Sequence, residues 1–166
     1  MLEALRIGGG TAVALALAAS LWLQQDRLAQ VQARFEHESD AVHKAKILPD
    51  LGDAEFQEMQ KQVAAGNLSD AVAALQKYRD AARSCKKELD AKGIDAEKHP
   101  AGYKQLEISL RLSLRRIDDV VVGLAADEQK PFLDVRKEIQ QLDRHVMQQL
   151  FPRQPRVDAA AEKQGP

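Results

Sequence analysis

The spacing best able to hold a metal in this 166-residue chain is His37-x-x-Asp40-x-x-His43. Imidazole and carboxylate are ordinary zinc and copper ligands, and three-residue steps on an unbroken helix would bring all three groups round one side. Ser39-Asp40, however, is also a helix-start signal, and a start there would separate the histidines and leave them as polar residues at a joint. Other chemistry is weaker. Acid–base catalysis by paired carboxylates needs two acids in a shielded cleft, whereas Asp118-Asp119 reads as a solvated face and Asp127-Glu128 as a helix start. The four histidines lie in charged surroundings without a nucleophile elbow, and the glycine run Gly8 to Gly10 belongs to an apolar terminus, not to a phosphate loop. Cys85 is the only cysteine, so no internal disulfide can form; without a His or a cluster of bases to make a thiolate it reads as a small residue in a helix seam, with Lys86 and Lys87 the only argument for reactivity. The chain is accordingly read as a non-enzyme that calls for no cofactor, with His37, Asp40 and His43 as the metal-binding or enzymatic alternative.

Composition narrows the class further. Apolar residues make up 45% of the chain, charged residues 30% and aromatics 4%, and 24 bases nearly balance 25 acids. A net charge of −1 creates no field for a nucleic acid, which is excluded as the expected partner. At this length one domain is the expectation, large enough to fold without staples.

The N-terminus bears on compartment. Ile7 to Leu23 is a 17-residue run without a charge. As a helix it spans about 25 Å, short of the roughly 30 Å hydrocarbon core. Residues 1–20 therefore read as an export signal, with small residues suited to cleavage before Ala19 or Leu21. The alternative is an uncleaved anchor over residues 7–23, with Trp22 at the membrane interface. The expected location is thus periplasmic or extracellular, with membrane contact only through this segment if it is retained.

The elements that must position any site are helices. Residues 26–150 are rich in Ala, Leu, Gln, Glu, Lys and Arg, and the expected fold is all-α: a small antiparallel bundle of four or five helices. Leu28, Val31 and Phe35 mark the first stripe. Ser39-Asp40 caps a second helix through Val42, Ile47, Leu48, Phe56, Met59 and Val63, which Pro49 is expected to kink or interrupt. Gly66-Asn67 ends it and starts a third helix carrying Leu68, Val72, Leu75, Ala82, Cys85 and Leu89. The stretch AAGNLSDAVAALQKY, with Ala65, Gly66, Leu68, Ala71, Leu75 and Tyr78, resembles the turn and second helix of a tetratricopeptide unit. The resemblance covers residues 51–84 at most and implies one antiparallel helix pair, with a peptide-binding groove as a minor possibility. No second copy follows in the sequence.

Leu106, Ile108, Leu110, Leu112 and Leu114 alternate with polar residues, a strand pattern with no second strand to pair with. A helix over 103–124 is therefore expected, apolar on two sides: Leu106, Leu110, Leu114, Ile117, Val121 and Leu124 on one, Ile108 and Leu112 on the other. Such a helix is either central to the bundle or carries a patch for a partner, rimmed by Arg111 and Arg115. The final helix is capped by Asp127 and buries Phe132, Val135, Ile139, Leu142, Val146 and Leu150, stopping at Pro152; residues 151–166 read as a disordered tail. Charge is uneven, with eight acids and four bases over 26–58 but six acids and eleven bases over 77–116. The functional expectation is a binding, scaffold or adaptor protein of the cell envelope that meets a protein partner through Ile108, Leu112, Arg111 and Arg115. Self-association is left open.

Overall fold

The computed structural model describes residues 26–152 and shows five helices among them, with no strand. They are α1 (26–37), α2 (Ala41–Ala64), α3 (Leu68–Ala91), α4 (Ala101–Val122) and α5 (Lys130–Leu150). The export-signal and anchor readings lie outside the described residues, as does the tail beyond Pro152. No helix among the described residues is long and apolar enough to cross a membrane.

Two helical hairpins make the bundle. Asp40 of the α2 N-terminus pairs with Lys92 beyond the α3 C-terminus, and Lys44 pairs with Glu88, so α2 and α3 run antiparallel. Arg136 pairs with Asp118 and Arg111 approaches Met147, which makes α4 and α5 antiparallel too. The hairpins stack with like directions side by side: α2 lies along α4, α3 lies along α5, α3 and α4 touch across the centre, and α2 and α5 stay apart. On the outside, α1 folds back along α2, with Arg34 on Asp50 and Phe35 beneath Lys44.

Local chemistry explains most boundaries. Asp40 accepts the backbone N–H groups of Val42 and His43, both at 2.9 Å, and so starts α2 as expected. Gly66 takes a φ of 77°, a left-handed turn that only glycine adopts without strain, and separates α2 from α3 within three residues. Of the kink or interruption expected at Pro49, the interruption is absent, because α2 runs through it as one helix. Ile47, Leu48 and Leu51 are all buried on either side of the proline, and that packing outweighs the roughly 3 kcal/mol of an interior proline. The expected Asp127 cap is also replaced. The α5 N-cap is Gln129, which makes no side-chain cap bond; the preceding turn is held by Ala125 N–H donating to Glu128 and Gln129 Nε2 donating to the Leu124 carbonyl.

The core is continuous. Tyr78 of α3 is fully buried, meets Phe56 of α2 edge-on at 5.5 Å and donates its hydroxyl to the Ser109 carbonyl of α4 at 3.0 Å, so one ring joins both hairpins. At the other end, a Cβ on Gly102 would stand 2.6 Å from Leu89 Cδ2, and the missing side chain lets α4 approach α3. All six apolar residues of the α5 stripe are buried.

Candidate partner-binding face on the fourth helix

The helix expected over 103–124 forms over 101–122, and its two apolar sides meet different fates. Leu106, Leu110, Ile117 and Val121 face the core together with Ser109 and Ser113. Those serines are small enough for a close helix–helix seam, and they satisfy their own hydroxyls by donating to the Gln105 and Leu110 carbonyls at 3.1 and 2.7 Å. With this seam against α2, α3 and α5, the opposite side turns outward. Ile108 is 56% exposed and Leu112 43%, which corrects the reading of α4 as a central helix buried on two faces.

Four residues make up this outer face. Ile108 and Leu112 stand one turn apart, while Arg111 and Arg115, also one turn apart, flank them. Together with Glu107 they line a shallow depression of about 290 Å³. Arg111 is held in place, forming an ion pair with the largely buried Glu107 and lying 3.6 Å from Met147 Sδ. Beside it, Asp143 is raised above the usual carboxylate range by burial and by the Glu107 charge, with Arg111 opposing. Arg115 makes no ion pair among the described residues and presents a free guanidinium to solvent. Toward α2 the face continues into Arg116, which pairs with Asp53 at 2.5 Å and covers the Phe56 ring at 5.5 Å.

The three metal candidates form no ligand cluster, although His43 Nδ1 lies 3.9 Å from Asp40 Oδ1. His37 ends α1, Asp40 lies in the break, and His43 is on the first turn of α2. Asp40 spends Oδ1 on two backbone N–H groups and Oδ2 on Lys92 Nζ at 2.7 Å, which holds its carboxyl down at about 2. The ammonium of Lys92 thus occupies the position a cation would take. No cluster of His, Cys, Asp and Glu suited to a metal ion occurs among the described residues. Cys85 is buried, and desolvation pushes its thiol up to about 12, leaving little thiolate at neutral pH. Ala71, Leu75 and Tyr78 of the tetratricopeptide-like stretch are core residues.

A buried acid outside this face escaped the sequence reading. Glu55 is buried on α2, and its signal was present: Leu48, Leu51, Glu55 and Met59 share one helical stripe, so an acid stands at a core position.

No family model, no curated protein and no solved structure matches the chain. Its class therefore rests on its own architecture, an all-α protein of two stacked helical hairpins with an added first helix.

Proposed function

We propose that the protein is a non-enzymatic binding or adaptor protein of the cell envelope, exported through its N-terminal apolar run, that recognises a protein partner through the outer face of α4. The observation that carries this reading is the exposure of Ile108 and Leu112 on successive turns of a helix whose other side is fully packed. Large apolar side chains placed together on a rigid element, rimmed by arginine, have the composition of an interface core. The chemistry that fits is an amphipathic helix offering two apolar side chains at one-turn spacing with acids beside them, facing Arg111 and Arg115. Uncleaved, the run from Ile7 to Leu23 would hold the same face near a bilayer, and intact mass of the protein recovered from cells separates the two forms: loss of residues 1–18 or 1–20 means release, full mass means tethering.

The binding test is site-specific photo-crosslinking in cells. A photoreactive residue at position 112 is expected to give a discrete adduct that is absent when the same residue stands at Lys137 on α5, and Ile108→Glu is expected to remove it without lowering the melting temperature. Equal adducts from both positions, or an adduct that survives Ile108→Glu, would reject the reading.

A further inference from the structure

Glu55 is only 2% exposed, and its Oε2 has no hydrogen-bond partner. Buried carboxylates are almost always paired, so an isolated one calls for explanation. It lines a groove of about 320 Å³ between α1, α2 and α3, at the small end of the range for ligand sites. Phe35, Leu51 and Ala81 supply the apolar part of the lining, and Glu36, Lys77 and Asp80 supply charge. Asp80 is already paired with Arg79, and Glu58, one turn along α2, is paired with Lys61. Glu36 and, once it has lost its proton, Glu55 outweigh Lys77, so the groove favours a cation that displaces the Glu55 proton. A divalent metal does not fit, because hard cations need six or more oxygen ligands and no group of His, Cys, Asp and Glu suited to a metal ion occurs among the described residues.

We propose that this groove binds a small aliphatic primary ammonium, whose NH3+ donates to the Glu55 carboxylate at the edge of the groove while its hydrocarbon body lies against Phe35, Leu51 and Ala81. The ammonium supplies the partner that the carboxylate lacks, and the apolar part of the lining distinguishes an amine with an alkyl body from a bare inorganic cation. Burial pushes the Glu55 carboxyl up to about 7, with Lys77 opposing and Glu58 reinforcing, so near pH 6.5 a bound cation should draw off a proton. This site is separate from the α4 face, and neither reading depends on the other.

The experiment is calorimetric titration of the full-length protein with n-hexylammonium, n-hexanol and n-hexanoate at pH 6.5, in two buffers of different ionisation enthalpy. Saturable binding of n-hexylammonium at least tenfold tighter than that of n-hexanol, with net proton release, is the expected result. Glu55→Gln should keep the helical spectrum and lose at least tenfold in affinity. Ala81→Phe, which adds bulk to the apolar part of the lining, should lose binding as well. The proposal is overturned if n-hexanol or n-hexanoate binds as well as the amine, or if either variant retains full affinity. Nα-acetyl-lysine N-methylamide carries the same ammonium on a peptide backbone; binding equal to or tighter than n-hexylammonium would overturn the small-amine assignment in favour of a peptide.

Discussion

The outer face of α4 and the groove beside Glu55 break the usual sorting of side chains in opposite directions. The first leaves Ile108 and Leu112 in water, and the second shuts an acid away from it. The two departures differ in energy. An exposed apolar side chain forgoes a gain but strains nothing, since the unfolded chain exposes it as well. A buried carboxylate without a partner loses hydration that it had in the unfolded chain, and the loss is felt by the folded state alone. Asp40 is the useful third case, an acid at the surface with both carboxylate oxygens engaged. Exposure, burial and partnering are thus separable, and their consequences for stability differ in sign.

Four substitutions test that comparison. The largest effect belongs to the side of α4 that does pack: Leu110→Ala, at a fully buried position, should cost about 3 kcal/mol and lower the melting temperature by roughly 10 °C. A change under about 1 kcal/mol would mean that the two sides of α4 are not energetically distinct. Next comes Glu55→Gln, which should stabilise. With its carboxyl at about 7 in the fold against an ordinary 4.5, the native state prefers the neutral acid. Its contribution is therefore complete below about pH 4.5 and is lost as pH rises through 7. Urea unfolding at pH 8 should show the variant ahead by about 2 kcal/mol, with the lead shrinking toward pH 5; a lead that is constant with pH would place the acid in water.

Asp40→Ala should destabilise by a smaller amount and with the opposite pH dependence. Lys92 and two backbone N–H groups hold that carboxyl at about 2 against an ordinary 3.8. The stability it adds is present above about pH 3.8 and lost as pH falls toward 2, so wild type and variant should converge in acid. Parallel curves down to pH 2 would show that the Lys92 contact adds nothing. Smallest of all is Ile108→Glu, expected to change stability by less than about 0.5 kcal/mol, since the side chain is more than half exposed. A drop of 2 kcal/mol would return Ile108 to the core and end the proposed binding face.

Much of the fold was legible because helical periodicity is a local signal. The α5 stripe from Phe132 to Leu150 was readable residue by residue, as was the start of α2 at Asp40, where cap and helix lie within three residues of each other. Errors arose where a local rule met a distant force. Pro49 is a helix breaker by its own chemistry, yet Ile47, Leu48 and Leu51 are clamped by other helices. Asp127 is a good cap residue, but Glu128 and Gln129 tie the turn differently. Of the candidate binding face, the four residues and their shared side of α4 were readable; their exposure was not.

Spacing alone thus determined that this chain makes helices, which residues share a side of each, and that His37, Asp40 and His43 straddle a helix start. Only the tertiary structure decided which side of α4 is covered, that α2 continues past its proline, and that Glu55 sits without a partner at the edge of a groove. The reason is range: a helix turn is closed by residues three or four apart, whereas desolvation is set by whatever the rest of the molecule brings alongside.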